Sequence, residues 1–79
     1  MRILLTPGHT VNVILSAVKN RKIITTNLAE ASLYESKAAK HLKKGNYEKA
    51  AHCAIMAQEY LRIASEAKRE DIKLHALYN

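Results

Sequence analysis

Large aromatic side chains and cysteine are scarce in this chain. Its 79 residues include no Trp or Phe, one Pro, two Gly and one Cys. The single Cys53 excludes an internal disulfide and suits a reducing cytoplasm. Hydrophobic residues make up 48% of the chain, but many are Ala, which contribute little transfer free energy. We therefore expect one small domain, residues 1–79, with a thin core and marginal stability.

Long apolar runs are also absent. No stretch of about 18 consecutive apolar residues occurs, so the sequence predicts no transmembrane helix and no membrane partner. The first five residues resemble the start of a signal peptide, but Pro7 and Gly8 soon interrupt the apolar run. We expect no export signal, and a cytoplasmic location.

Basic residues outnumber acidic ones by 13 to 7, and the excess is unevenly distributed. Two clusters form the predicted basic patch: Arg21, Lys22, Lys37, Lys40, Lys43 and Lys44. Cations near a helix C-terminus offset the negative end of the helix dipole, which is a purely structural explanation. The same clusters suit nucleic acid or an acidic partner, and both interpretations stay open.

The strongest pattern is a predicted turn between two helices. An Ala-rich helical segment stops at Gly45, a residue that adopts a left-handed backbone at little cost. Asn46 is a preferred N-cap, so a new helix begins near Tyr47. Helices joined by so short a turn must fold back on each other as an antiparallel hairpin.

The N-terminal third is harder to assign. Residues 1–9 are expected to be irregular, and Thr10 can cap a first helix that ends at about Arg21. Apolar residues recur with helical spacing at Val11, Ile14, Leu15 and Val18. The many β-branched residues of the first 25 positions leave a strand open as the alternative.

Two longer helices follow. Thr25 and Thr26 break the pattern, and Asn27 with Glu30 resembles a capping box that opens a second helix, residues 28–44. A third helix can run from Tyr47 to about Leu77. Its small residues are expected to face the second helix: Ala50, Ala54 and Ala57, with Leu61. A second apolar stripe predicts another neighbour: Cys53, Met56, Tyr60, Ile63 and Ala67.

The predicted fold is therefore all-α. It is a small three-helix bundle around an antiparallel hairpin, in which the first helix covers the second stripe of the third. The polar stretch 66–71 is a candidate bend, after which a C-terminal helical segment would pack back or meet another subunit.

The turn residues carry a family resemblance. The segment 38–57, with Gly45-Asn46-Tyr47-Glu48 at its turn and Ala50 and Ala57 after it, resembles the hairpin of a tetratricopeptide repeat. It also resembles the hairpin of microtubule-interacting-and-trafficking domains, which are three-helix bundles that bind partner helices. Either resemblance implies a helical unit that binds other proteins.

Residues that could perform catalysis or bind metal are few and poorly spaced. The four His and Cys53 lack paired ligand motifs, so we expect no metal and no cofactor. Arg69 and His75, separated by five residues, resemble the Arg-His motif of HEPN ribonucleases, in which the two side chains would handle phosphate charge and a proton. The alternative is two solvated residues on the last helix.

We predict a non-enzymatic adaptor or regulatory module that binds a protein partner or a second copy of itself, without a small-molecule substrate. The predicted partner-binding residues are apolar or aromatic groups of the last helix: Tyr60, Ile63, Leu74, Leu77 and Tyr78. The alternative is nucleic-acid binding through the basic patch.

Overall fold

The computed structural model describes the backbone of residues 7–78 and the side chains of residues 11–76. This part of the chain forms two α-helices, α1 (Pro7–Lys43) and α2 (Tyr47–Tyr78). The prediction of an all-α hairpin is confirmed. The three-helix bundle is wrong, because the first two predicted helices are one continuous helix.

The turn closes as the sequence predicts. Gly45 adopts φ = 77°, in the left-handed region. The amide of Asn46 donates to the carbonyl of His41 at 2.9 Å, and the amide of Gly45 donates to that of Leu42 at 3.1 Å. This pair of bonds is a Schellman motif, which satisfies carbonyls at the end of α1. The carbonyl of Asn46 accepts the amide of Ala50 at 2.9 Å, so α2 starts directly after the turn.

The predicted break at residues 25–27 does not occur. Neither Gly nor Pro lies there, and the helix propensity lost at two Thr is small beside the packing gained along α1. The side-chain amide of Asn27 donates to the carbonyl of Ile23 at 2.7 Å, within the helix. Asn27 is therefore an internal, half-buried residue and not an N-cap.

The start of α1 also differs from the prediction. The helix begins at Pro7, a residue well suited to the first helical turn because its missing amide would have no partner there. Residues 7–25 are helical, which excludes the strand alternative for them. Residues 1–6 lie outside the described part of the chain.

Burial follows a regular seam along both helices. All of the buried positions and most of the half-buried ones recur at alternating spacings of three and four residues, which is the 3.5-residue period of a two-stranded coiled coil. On α1 the seam is Val13, Ala17, Asn20, Ile24, Asn27, Ala31, Tyr34, Ala38 and His41. On α2 it is Ala50, Cys53, Ala57, Tyr60, Ala64, Ala67, Asp71 and Leu74.

The α2 seam corrects the predicted alanine line. Ala50 and Ala57 are buried, as expected, whereas Ala54 and Leu61 are exposed. Cys53 belongs to the same seam as Ala57, so the two predicted stripes merge into one. One neighbouring helix, α1, therefore covers the single buried face of α2. Helix α2 runs from Tyr47 to Tyr78 without a separate C-terminal segment.

The molecule is a thin rod with extents of 58 × 19 × 13 Å. Its radius of gyration is 17.8 Å, compared with about 12 Å for a compact domain of this length. Small side chains dominate the buried seam, and among the described residues no large side chain is fully buried. Two helices alone therefore leave much apolar surface in contact with solvent.

Candidate functional site

One broad face of the hairpin combines exposed apolar side chains with few charges. On each helix it consists of the residues that directly follow the seam residues, rotated by about 100° around the helix axis. We define the lateral stripe of α1 as Ile14, Val18, Arg21, Thr25, Leu28, Ser32, Glu35, Ala39 and Leu42, all exposed. The matching residues of α2 are Ala51, Ala54, Gln58, Leu61, Ser65, Lys68, Ile72 and His75, also exposed.

Both stripes lie on the same side of the molecule, because the two helices are antiparallel. A shallow groove confirms this, since it is bordered by Leu28 from α1 and by Leu61 and Lys68 from α2. We call this side the lateral face. Its large apolar side chains are strongly exposed, at 44% for Ile14, 47% for Leu28 and 61% for Ile72.

The opposite face of the hairpin carries more charged side chains. Positions that precede the seam residues carry nine formal charges: Lys19, Glu30, Lys37, Lys40, Lys49, Glu59, Glu66, Glu70 and Lys73. The lateral face carries three, at Arg21, Glu35 and Lys68. Large exposed apolar side chains gathered on a face with few charges mark an interaction surface.

A small polar cluster joins the two helices near the open end of the hairpin. The guanidinium of Arg21 lies 3.8 Å from a carboxylate oxygen of Asp71 and 3.2 Å from Nε2 of His75. Because a guanidinium only donates, Nε2 of His75 is the acceptor in this contact. The other carboxylate oxygen of Asp71 is buried without a hydrogen-bond partner among the described residues.

A pocket of about 200 Å³ opens beside this cluster. It is lined mainly by apolar side chains, which include Val13, Val18 and Leu74. Its volume is below the roughly 300 Å³ at which small-molecule sites begin. It is better described as the open end of the seam.

The predicted partner-binding residues occupy different surroundings. Tyr60 stacks on Tyr34 inside the hairpin, with ring centroids 5.6 Å apart. Leu74 belongs to the seam, and Ile63 is half-buried beside it on the charged face. The side chains of Leu77 and Tyr78 lie outside the described residues. The sequence pattern placed the free apolar surface on α2 alone, whereas much of it lies on α1.

The predicted basic patch is divided. Lys40, Lys43 and Lys44 are exposed at the tip of the hairpin, and Nζ of Lys37 lies 5.0 Å from the centroid of the Tyr34 ring. Arg21 and Lys22 are also exposed, but they lie about 15 residues before Lys37 on α1, or about 22 Å away. The structure therefore brings together four of the six residues.

Charges on the outer surface of α2 are largely paired. Arg62 contacts Glu59 at 3.0 Å and Glu66 at 2.7 Å, and Lys73 lies 3.6 Å from Glu70. The hydrogen bond to Glu59, followed by attraction to Glu59 and Glu66, raises the pKa of Arg62 above its ordinary value. Among the described residues, the tip lysines have no such carboxylate contacts.

Arg69 and His75 point in different directions. Six positions along a helix correspond to a rotation of about 600°, which leaves the two side chains about 120° apart around α2. His75 is held instead by Arg21 of the other helix. Among residues 11–76, whose side chains the structure describes, no group of three or more His, Cys, Asp or Glu is arranged to hold a metal ion.

Neither described helix contains a segment long and apolar enough to span a bilayer. Comparison with known proteins finds no matching family model, no similar curated protein and no similar solved structure. The geometry of the hairpin is therefore the basis for any functional conclusion.

Proposed function

We propose that this protein is a non-enzymatic helical interaction module that binds another protein through its lateral face. The observation that carries the proposal is the contrast between the two broad faces. Ile14, Val18, Leu28, Leu61 and Ile72 are all more than 40% exposed on a side with three formal charges. An apolar helical partner would cover these side chains and remove them from water.

The hairpin architecture supports this proposal. Small residues at the seam let α1 and α2 pack as a rod, and the rod presents a long flat surface. Its resemblance to tetratricopeptide and microtubule-interacting-and-trafficking hairpins points the same way, since both classes bind proteins. We place the protein in a reducing cytoplasm, which suits its one cysteine, Cys53.

A matched pair of variants tests the binding face. Leu28 on the lateral face and Leu33 elsewhere on α1 are 47% and 49% exposed. Affinity capture from the native host should recover the same partner with wild type and Leu33→Asp, and lose it with Leu28→Asp. Equal capture by both variants would exclude the lateral face as the binding surface.

The tip lysines support a second candidate function. Lys37, Lys40, Lys43 and Lys44 approach one another at the end of the rod and suit phosphate groups of a nucleic acid. Binding to a fluorescent RNA of about 20 nucleotides should then weaken steeply with salt, and Lys43→Glu/Lys44→Glu should reduce the salt dependence. Lys73→Glu, at the far end of α2, is the control. Salt-independent or undetectable binding would exclude this function.

A further inference from the structure

The lateral stripe of α1 is complementary to itself when its direction is reversed. Leu28 is its fifth and central residue. Arg21 lies seven positions before Leu28, and Glu35 lies seven positions after it. The only two charges of the stripe are therefore opposite in sign and symmetric about Leu28.

The uncharged residues of the stripe follow the same symmetry. Reversal of the stripe about Leu28 places side chains of compatible size and polarity opposite each other, within one residue of register. At the ends of the stripe, large apolar side chains lie opposite each other. Closer to Leu28, a β-branched apolar side chain lies opposite a small one, and next to Leu28 two hydroxyl side chains lie opposite each other. Such an arrangement is a second heptad seam without a partner. The pairs are Ile14 with Leu42, Val18 with Ala39, and Thr25 with Ser32.

We propose that a second copy of this chain occupies the lateral face, with the two α1 helices antiparallel and Leu28 on the twofold axis. This inference rests on the proposed interaction function and names its partner. In this dimer Arg21 of each copy faces Glu35 of the other, which suits the isologous interface of a twofold homodimer.

The large accessible surface area of the chain supports a partner on the lateral face. The chain exposes 6327 Å², which is on the order of 1,000 Å² more than a compact monomer of 8.9 kDa. A standard protein interface removes about 800 Å² from each partner. A second hairpin on the lateral face would cover a comparable area, because Leu61 and Ile72 of α2 flank the same surface.

Charge complementarity distinguishes the dimer with antiparallel α1 helices from the main alternative dimer. A twofold axis parallel to the rod would stack α1 on α2 of the other copy. Arg21 would then face the region of Ile72 and His75, and Glu35 that of Gln58 and Leu61, so neither charge would find its opposite. In the dimer with the two α1 helices antiparallel, each of these two charges lies opposite a charge of the other sign.

Sedimentation equilibrium at micromolar concentration tests the dimer. We expect wild type and Leu33→Asp to dimerise, and Leu28→Asp to raise the dimer Kd at least about tenfold, because it places two carboxylates together on the axis. Glu35→Lys should also raise the Kd, and more so at low salt, because it faces Arg21. Circular dichroism checks that each variant remains helical.

Cross-linking tests the direction of the helices. In a Cys53→Ala background, Leu28→Cys should form a disulfide-linked dimer on mild oxidation, whereas Leu33→Cys should not. Equal cross-linking of both, or none at Leu28→Cys in a chain that dimerises, would overturn the proposed geometry.

The two proposals fail separately. A chain that stays monomeric but captures a partner in a Leu28-dependent way would overturn self-association and leave the interaction function intact. A monomer without any Leu28-dependent capture would overturn both.

Discussion

The rings of Tyr34 and Tyr60 stack across the hairpin, with centroids 5.6 Å apart and planes inclined by 21°. They are the two tyrosines of the seam, one from each helix. Their contact sets which residues of α1 and α2 lie opposite each other, and it agrees with the contact of Arg21 with His75 nearer the open end.

This register produces an overhang on α1. Beyond the Tyr34–Tyr60 pair, α1 extends back to Pro7 and α2 extends only to Tyr78, so α1 is longer by about nine residues, or about 14 Å. The prediction from sequence, a second helix of residues 28–44 beside a third from Tyr47 to about Leu77, instead made the last helix the longer of the two. Its error follows from the missing break at residues 25–27, which lengthens α1.

The tyrosine pair should contribute to stability beyond its buried area. We expect a double-mutant cycle with Tyr34→Leu and Tyr60→Leu to give a coupling free energy of about 0.5 to 1.5 kcal/mol. Urea denaturation followed by circular dichroism measures it. Additive effects of the two substitutions would show that the rings do not interact in solution.

Gly45 should be sensitive to substitution for conformational reasons alone. A Cβ atom added there would meet no atom within 4 Å, so the space is open, but φ is +77°. Gly45→Val should lower the free energy of unfolding by more than about 1 kcal/mol, because a β-branched residue is strained in this conformation. Gly45→Asn should cost less, since Asn tolerates it better. Equal denaturation midpoints for all three proteins would contradict this account.

Ala57 and Ala54 should respond differently to the same enlargement. Ala57 is 4% exposed in the seam, so Ala57→Leu should push the helices apart and cost about 1 to 3 kcal/mol. Ala54 is exposed, and Ala54→Leu should change stability by less than about 0.5 kcal/mol. Chemical denaturation at low protein concentration compares them. A larger loss for Ala54→Leu would reverse the assignment of the buried face.

The partly unsatisfied carboxylate of Asp71 should lower the stability of the hairpin. Its side chain is 16% exposed, and one buried carboxylate oxygen lacks a hydrogen-bond partner among the described residues. Replacement of a buried ion pair by apolar groups is often neutral or stabilising, and the Arg21 side chain, which is 64% exposed, stays hydrated when its partner is removed. We therefore expect Asp71→Leu to raise the free energy of unfolding by about 1 kcal/mol, as measured by urea denaturation. Arg21→Ala should lower it, because the carboxylate then loses its cation. A clear loss of stability in Asp71→Leu would instead assign the carboxylate a structural role.

Features that depend on local chemistry follow from the amino-acid sequence alone. Gly45 and Asn46 predicted the turn because only a few residues suit a left-handed backbone or an N-cap. Helical spacing predicted the helical character of α2, and the absence of Gly and Pro after Gly45 predicted its length. Each of these rests on contacts within a few residues along the chain.

Which faces are covered depends, in contrast, on how the two helices pack. Asn27 looks like a helix start in the sequence, yet packing of α1 against α2 keeps it inside one helix. Ala50, Ala54 and Ala57 are chemically identical, and the register of the partner helix alone buries the first and third. The apolar face of α1 was equally hidden from sequence reasoning, because the predicted first helix, expected to cover the second stripe of the last helix, is part of α1 itself.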